Sequence, residues 1–241
     1  MIPKSHPRYK SLKTRDLIVK GVEEGVTSMH GLIAQGRGES FDYLLREKTN
    51  DFAIKSIEAA ASMLLLSKHP VISVNGNVAA LVPNEIVKLS KLLDAPIEVN
   101  LFHSSKKREL KIKKYLENFG AKKILLPQKK CQIRYLESNR KYVNPEGIMK
   151  ADVVFVPLED GDRAEALIKN GKKVITIDLN PLSRTAQKST IAIVDNITRA
   201  LPLLIKITMS QKKLSAIKLK KIIKSYNNIV NLKLAAKKIR K

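Results

Sequence analysis

VITIDLNPLSRTAQKSTIAIVDN, which spans residues 174–196, is the stretch that decides the fold. It contains two short apolar runs, 174–177 and 191–194, that have the length and the β-branched composition of strands. Each run ends in polar residues rather than in another apolar element. The pattern therefore predicts two neighbouring strands whose ends carry polar side chains.

Those polar side chains form a candidate ligand site. The first strand is followed by Asp178, Leu179 and Asn180, the second by Asp195 and Asn196, and Ser183, Arg184 and Thr185 lie between them. In open parallel α/β sheets, ligands bind outside the carboxyl ends of the strands. The stretch is thus expected to form one wall of a binding site.

Strand and helix patterns alternate on the N-terminal side of this stretch as well. Four further strands are predicted, at 71–74, 96–100, 123–126 and 152–156. Helical patterns connect them, because parallel strands need long, right-handed crossovers. The expected fold is α/β, with a mainly parallel six-stranded sheet that is doubly wound.

An irregular, basic segment at 127–150 divides the six strands into three and three, and its pattern is typical of a linker or excursion. In a doubly wound sheet the first and fourth strands would then be adjacent at the switch point. The polar loops 75–77 and 158–163 would face each other across a crevice.

These loops supply further candidates for substrate binding, each with a structural alternative. Asn75, Gly76 and Asn77 combine amide groups with a flexible turn, although such turns are common loop punctuation. Glu159, Asp160 and Asp162 could hold Mg²⁺ or receive an ammonium group, and Asp162 could instead cap a helix. The loop after the second strand adds His103, Ser104 and Arg108.

The N-terminal third is expected to be helical. Residues 7–26 have the spacing of an amphipathic helix, with Arg15 on its polar side. The segment 30–39 has glycines at 31, 36 and 38, which favour either a connector or a loop that presents Arg37 to an anion at the start of the next helix. Residues 51–68 predict an apolar helix in the core or against a second subunit.

The net charge of +24 is strongest in residues 211–241, which carry ten lysines and Arg240 without any acidic residue. Such a field attracts polyanions, but a nucleic-acid-binding protein would be expected to have more than 5% aromatic residues for stacking. The apolar spacing from 219 to 234 predicts a helix that packs on the body of the protein. Nucleic acid is therefore an unfavoured partner.

Features that the sequence lacks argue against several other classes of protein. A single cysteine, Cys131, excludes an intrachain disulfide framework. No strand feeds a G-x-G-x-x-G turn, which argues against a dinucleotide oxidoreductase. Neither a bilayer-spanning run nor a secretory signal is present, which favours a cytoplasmic protein without a membrane partner. A non-catalytic nucleotide-binding protein stays open as an alternative.

Four ordered segments carry a family resemblance. They are HGLIAQGRGESFDYLL (30–45), HPVISVNGNVAALVP (69–83), ADVVFVPLEDGDR (151–163) and IDLNPLSRTAQKSTIAIVDN (177–196). Together they closely resemble archaeal phosphopantothenate synthetase, the 4-phosphopantoate–β-alanine ligase family of coenzyme A biosynthesis. The resemblance runs from residue 2 to about 208, and departs from the family pattern at Gln35, a histidine in many members, and at Arg46, near a helix-ending glycine.

The resemblance implies a homodimer with a Rossmann-like core that condenses 4-phosphopantoate with β-alanine, using ATP and Mg²⁺ and releasing AMP and diphosphate through an acyl adenylate. It also implies the ATP-binding residues, namely Arg15, Arg37, Asp178, Leu179, Asn180, Arg184, Thr185, Asp195 and Asn196. Arg37 and Arg184 would stabilise charge on the triphosphate. No catalytic nucleophile or direct metal ligand is assigned by it.

The chain is accordingly expected to have three parts. Residues 1–69 would form an N-terminal helical region packed on the core, residues 70–208 a Rossmann-like α/β core, and residues 209–241 a lysine-rich helical appendage.

Overall fold

The computed structural model of the protein describes residues 2–240. Its strands are β1 (Pro70–Val74), β2 (Ile97–Val99), β3 (Ile124–Leu125), β4 (Gln128–Gln132), β5 (Tyr142–Val143), β6 (Val153–Phe155), β7 (Lys173–Ile177) and β8 (Ile191–Ile193). Its α-helices are α1 (Tyr9–Glu23), α2 (Met29–Leu44), α3 (Asp51–Leu66), α4 (Gly76–Leu81), α5 (Pro83–Leu93), α6 (Lys106–Asn118), α7 (Gly161–Lys169), α8 (Arg184–Lys188), α9 (Ile197–Gln211), α10 (Ala216–Ser225) and α11 (Asn228–Ile239).

Six of the strands form one sheet in the order β3-β2-β1-β6-β7-β8, and every neighbouring pair is parallel. The predicted α/β class is confirmed, and so is the adjacency of the first and fourth predicted strands, which are β1 and β6. Val71 and Ile72 of β1 pair with Val154 and Phe155 of β6. The switch point therefore lies between these two strands.

The sheet is buried on both faces because its side chains alternate between two apolar clusters. Ile72, Val74 and Phe155 belong to the larger cluster, which includes residues of α3, α5 and α9. Val71 and Val154 belong to a second cluster with residues of α7. Burial on both faces explains why the strands read as continuous apolar runs.

The expectation of a glycine-rich loop at 30–39 is wrong, because α2 continues from Met29 to Leu44 through all three glycines. Helix α2 lies close to α4, and the missing side chain at Gly31 permits this approach: a Cβ there would collide with Asn77 Oδ1. Arg37 consequently lies within a helix and not at its N-terminus.

The segment 127–150 is also more ordered than a linker. Strands β4 and β5 form an antiparallel pair, followed by a turn at Pro145–Met149 that is kinked at Gly147, whose φ of −108° and ψ of −121° are not helical. Ile133, Val143 and Ile148 are buried in the second apolar cluster. The segment is therefore part of the core. Its many basic residues led to the prediction of an exposed linker.

The lysine-rich end forms two helices, α10 and α11, where one apolar face was predicted. Asn231 of α11 donates from Nδ2 to the carbonyl of Phe52 and, at 2.7 Å, to Ser56 Oγ, both in α3. Helix α3 is thereby covered within its own chain. Among residues 2–240, none of the helices combines the length and apolar character that crossing a membrane requires.

Candidate active site

A cavity of about 370 Å³ lies at the carboxyl ends of β6 and β7. We call it the β7 lobe. Its lining includes Arg37, Asp178, Leu179, Asn180, Arg184, Thr185 and Asn196, together with Gln35, Gly38, Asn77, Glu159, Asp160 and Gly161. Seven of the nine residues that the resemblance implies for ATP are thus placed together. Asp178, Asn180 and Asn196, which follow two neighbouring strands, line one cavity, and Asp195 does not.

Asp178 organises the loop that follows β7. Its Oδ1 accepts from the Asn180 amide at 2.9 Å, and its Oδ2 accepts from Ser183 Oγ at 2.5 Å. Burial raises the pKa of the Asp178 carboxyl, while these hydrogen bonds and the positive charge of Arg37 oppose that shift. Ser183 in turn caps α8 by accepting from the Ala186 amide. The carboxylate therefore fixes the loop that carries the cavity lining.

Two arginines line the β7 lobe, one from α2 and one from α8. Arg37 is exposed on α2. Arg184 begins α8, and its Nε and Nη2 donate to Glu165 Oε2 at 3.0 and 2.5 Å. Hydrogen bonds from Arg184 and Lys169 hold the pKa of Glu165 at about 2. An anion in this lobe would meet positive charge on two sides.

The backbone at Gly161 gives Arg184 its position. Gly161 is the first residue of α7, and a Cβ there would lie 2.5 Å from the Cβ of Arg184. Thr185 strengthens the same contact, because its Oγ1 donates to the Glu159 carbonyl at 2.8 Å. Helix α8 therefore packs closely against the loop between β6 and α7 and is hydrogen-bonded to it.

Asp195 lies outside the lining of the β7 lobe. Its Oδ2 accepts from Thr49 at 2.6 Å, and its Oδ1 accepts from Arg199 Nη2 at 2.7 Å. Asn196 does line the lobe, caps α9, and donates from Nδ2 to Asp42 at 2.9 Å. Asp195 thus belongs to a partly buried network with Thr49 and Arg199.

Arg15 is also outside the lining. Its guanidinium pairs with Glu39 on α2, with Nη2 2.9 Å from Oε1 and Nε 3.0 Å from Oε2. The side-chain hydrogen bond to Glu39 raises the pKa of Arg15. Arg15 therefore joins α1 to α2 and does not contact the β7 lobe.

A second cavity, of about 320 Å³, adjoins the first, and we call it the β2 lobe. Both lobes are lined by Ala34, Asn77, Leu158 and Asp160, so they form one crevice across the switch point. Five of the predicted substrate-binding residues line the β2 lobe, namely Asn75, Gly76, Asn77, His103 and Arg108. Its remaining lining includes Thr27, Ser28, His30, Phe102 and Arg140.

The two polar loops meet as predicted. Asn75 caps α4 by accepting from the Val78 amide, and its Nδ2 donates to the Leu158 carbonyl at 2.8 Å. Leu158 has a positive φ of 53°, which is unfavourable for a leucine and directs its carbonyl to Asn75. Asn75 thereby joins the two halves of the sheet at the floor of the crevice.

Two of the predicted substrate-binding residues line neither lobe. Ser104 hydrogen-bonds Glu109 within its own segment, and Ser105, not Ser104, caps α6. The Oδ1 atom of Asp162 accepts from the amide of Arg163, and Asp160 stands at the N-cap of α7, so the predicted capping role of Asp162 is wrong.

Of the three carboxylates predicted for Mg²⁺ or ammonium, only Asp160 is available in the crevice. Glu159 is buried and forms ion pairs with Arg140 and Arg163. Asp160 is exposed and lines both lobes, although its Oδ2 also lies 3.0 Å from Arg140 Nη1. Within residues 2–240, no three His, Cys, Asp or Glu side chains are placed to hold a metal ion.

A buried charge network supports this loop, and sequence patterning missed it. Arg163 is fully buried, and both its Nη atoms lie 3.1 Å from Ser73 Oγ on β1. Burial lowers the pKa of Arg163 and of Arg140 to about 10, so both are cations at neutral pH. The only signal in the sequence was polar residues at inward strand positions, Ser73 and Glu98, within apolar runs.

Comparison with known proteins adds the family. The model of the phosphopantothenate/pantothenate synthetase family matches residues 52–241. A protein of Thermococcus kodakarensis named 4-phosphopantoate–beta-alanine ligase is 50% identical over 228 residues, covering 94% of this chain and 87% of that protein. The same name belongs to a Methanosarcina mazei protein, 51% identical over 94% of this chain and 89% of its own. The chain therefore belongs to the phosphopantothenate/pantothenate synthetase family.

Proposed function

We propose that this protein is a ligase of coenzyme A biosynthesis that joins 4-phosphopantoate to β-alanine, consumes ATP, and releases AMP and diphosphate. The observation that carries the proposal is the β7 lobe, in which Arg37 and Arg184 flank the polar strand ends. Relatives covering nearly the whole chain bear the name of this ligase. ATP is a substrate whose triphosphate requires this kind of positive, polar cleft.

The reaction proceeds in two balanced steps. A carboxylate oxygen of 4-phosphopantoate attacks the α-phosphorus of ATP, the bond to the β-phosphate oxygen breaks, and diphosphate leaves with the electron pair. The amine of β-alanine then attacks the acyl carbon, AMP leaves, and the nitrogen loses a proton as the amide forms. Neither step needs a protein nucleophile, so positioning and charge stabilisation supply the rate.

The residues of the β7 lobe have separable roles in this chemistry. Arg37 and Arg184 neutralise the charge that passes to the departing diphosphate. Asn180, on the loop fixed by Asp178, supplies an amide group for the ribose or adenine edge, and Asn196 lines the lobe from the loop between β8 and α9. Leu179 is largely buried in the lining and gives the lobe its apolar contact.

Mg²⁺ fits this site as a companion of the triphosphate. Mg²⁺ commonly keeps several waters and is held by one or two carboxylates together with substrate phosphates. Asp160 is the exposed carboxylate at the junction of the lobes, and it would hold the ion there. When bound, the metal neutralises phosphate oxygens.

We also propose that the protein acts as a homodimer. Helix α2 exposes Met29, Ile33 and Leu44, with 65%, 73% and 47% of their surface accessible. Large apolar side chains along one exposed helix favour association with a second copy. Sedimentation equilibrium is expected to give twice the chain mass of 27.0 kDa, and a monomer at micromolar concentration would contradict the dimer.

The role of the two arginines is tested by Arg37→Ala and Arg184→Ala. Each variant is expected to form AMP at a rate about 10²- to 10³-fold lower, which is the usual effect of losing one group that stabilises developing charge. Arg134→Ala is the matched control, because Arg134 is exposed and lines neither lobe. Near-normal turnover in either cavity variant, with folding verified by circular dichroism, would remove that residue from the mechanism.

A further inference from the structure

Helix α2 lines the β7 lobe with Arg37 and Gln35, yet little apolar surface holds it in place. Of residues 29–44, all of which the structure describes, only Asp42 is buried. The apolar side chains of this helix are exposed or only partly buried. Its three glycines lower the helix propensity further, by about 1 kcal/mol each relative to alanine. The position of α2 therefore depends largely on its polar contacts.

Two polar anchors join α2 to the helices that surround the lobe. Near its N-terminus, the Gly31 carbonyl accepts from Asn77 Nδ2 at 2.9 Å. Near its C-terminus, Asp42 accepts a forked pair of hydrogen bonds from Arg199, with Nη2 2.5 Å from Oδ1 and Nη1 3.1 Å from Oδ2. Arg37 lies between the two anchors, so both of them determine where its guanidinium stands.

Arg199 is itself joined to the carboxyl end of β8. It lies in the first turn of α9, where a cation opposes the helix dipole, so this place does not by itself favour α9. Its Nε donates at 3.0 Å to Oδ1 of Asp195, which follows β8. Asp42 also accepts from Asn196 Nδ2 at 2.9 Å. A single guanidinium thus bridges a carboxylate on α2 and a carboxylate next to the strand end.

Asp42 and Arg199 do not line the β7 lobe. They line a neighbouring cavity of about 630 Å³, and Asn196 lines both cavities. The ion pair therefore lies outside the surface that a ligand in the β7 lobe would contact. Five residues separate Asp42 from Arg37 along the helix, which is about 7.5 Å at a rise of about 1.5 Å per residue. A shift at Asp42 would consequently be transmitted along α2 to Arg37.

We propose that Asp42 and Arg199 are positioning residues, whose ion pair holds α2 where Arg37 and Arg184 act together on the triphosphate. The inference rests on the proposed ligase function, in which ATP occupies the β7 lobe. Neither Asp42 nor Arg199 touches the nucleotide, and both act through Arg37. Misplacing a positioned group by about 1 Å can lower a rate by about 10²-fold, so an ion pair outside the lobe can have a large kinetic effect.

Two conservative variants test this role. Asp42→Asn preserves the shape of the side chain and places an N–H donor where the Arg199 fork needs an acceptor. It is expected to lower kcat/KM for ATP by about 10- to 100-fold, with diphosphate release as the readout. Arg199→Lys keeps a cation between the two carboxylates but cannot form the fork, and is expected to lower kcat/KM for ATP in the same direction. Urea denaturation verifies that each variant is folded under the assay conditions.

A double-mutant cycle with Arg37→Ala distinguishes positioning from a general loss of structure. If Asp42 acts through Arg37, Asp42→Asn in the Arg37→Ala background should lower AMP formation by less than about a further threefold, because the positioned group is already absent. A general loss of structure would instead reduce the rate by the same factor in both backgrounds.

Asp152→Asn is the matched control. Asp152 is also a carboxylate that accepts several hydrogen bonds, including those from the Lys68 and His69 amides at 2.9 Å, but it precedes β6 at the opposite end of the sheet. This variant is expected to keep kcat/KM for ATP within about twofold, because distant sites act independently.

The positioning role is overturned if Asp42→Asn retains the wild-type kcat/KM for ATP, or if its loss is undiminished in the Arg37→Ala background. Wild-type protein that forms no AMP would instead refute the ligase function, and this role with it.

Discussion

At the scale of single residues, the β7 lobe depends on close approaches that only glycine permits. Gly161 begins α7 directly beneath Arg184, where a Cβ would meet the Cβ, Cγ and Cδ atoms of that side chain. Arg184 is exposed and held by Glu165 from α7, so its guanidinium can be displaced without unfolding the protein. The position of Arg184, which we propose to stabilise charge, is thus set by a residue without a side chain.

We therefore expect Gly161→Ala to lower kcat/KM for ATP by about 10- to 100-fold, because misplacing a positioned group by about 1 Å has this effect. Gly36→Ala is the control, since a Cβ there meets nothing within 4 Å. It should stabilise α2 by about 0.5–1 kcal/mol and retain activity. Equal kinetics for the two variants, measured by diphosphate release, would contradict the role of Gly161.

At the scale of elements, the strands were predictable and several of the connections were not. Runs such as 71–74 and 174–177 are apolar on both faces, as buried parallel strands must be, and the polar residues that follow them line the crevice. Glycines 31, 36 and 38 suggested a loop because glycine lowers helix propensity. Packing of α2 against Asn77 and Leu179 overrides that preference.

The buried position of Arg140 could not be predicted from the sequence. It lies in a basic segment that was expected to be a linker, yet its side chain is buried against Glu159. Nothing in the local pattern distinguishes it from the neighbouring Lys141. The two departures from the family pattern have different outcomes: Gln35 lines the β7 lobe, and Arg46 adopts a positive φ of 69°, the conformation that a glycine would hold there without strain.

The C-terminal helices pack on the body of the protein, and hydrogen bonds from single asparagine side chains hold them there. Asn228 donates from Nδ2 to the carbonyls of Ala186 and Ser189 at 3.0 and 3.1 Å. Its Oδ1 accepts from the Ala192 amide on β8 at 2.9 Å, which satisfies a donor of the edge strand. Removal of the C-terminal helices would therefore destabilise the edge of the sheet at β8.

Asn228→Ala is expected to lower the free energy of unfolding by about 2–3 kcal/mol, because it leaves a strand amide and two carbonyls without partners. Asn227→Ala is the comparison, since Asn227 only caps α11 through the Val230 amide, and its loss should cost about 1 kcal/mol. Urea denaturation measures both. A smaller effect for Asn228 than for Asn227 would contradict its role at the sheet edge.

At the scale of the whole molecule, stability is coupled to pH through buried carboxyls, among them that of Glu98. Glu98 on β2 has no exposed surface, and it accepts from the amides of Asn144 and Ile148 at 3.0 and 2.7 Å. Burial raises the pKa of Glu98 to about 7, against those hydrogen bonds and the charge of Arg163. Its usual pKa is 4.5, so the folded protein retains a proton that the unfolded chain releases.

The sign of this coupling follows from the raised pKa. Stabilisation by protonated Glu98 is fully present below pH 4.5 and is lost as pH rises through about 7. The stability of the wild type relative to Glu98→Gln should fall by about 3 kcal/mol between pH 4.5 and 8, because each pH unit between the folded and unfolded pKa values contributes about 1.4 kcal/mol. Urea denaturation across this range checks it, and a pH-independent difference would contradict the buried proton.

The two lobes form a binding surface, and catalysis by this surface would rest on positioning and charge rather than on a catalytic triad. Asp178 and Asn75 fix the loops at the ends of β7 and β1, and the arginines provide the charge. In the reaction that we propose, the two lobes hold ATP and the acid substrate end to end across the switch point. The net charge of +24 adds a long-range attraction for both anionic substrates.

The most direct test of the account is a complete reaction. The purified protein is incubated with ATP, Mg²⁺, 4-phosphopantoate and β-alanine, and the products are identified by mass spectrometry. AMP and 4-phosphopantothenate are expected in equal amounts, and both are expected to be absent when 4-phosphopantoate or β-alanine is omitted. Folded protein that forms neither product, or that forms ADP in place of AMP, would contradict it.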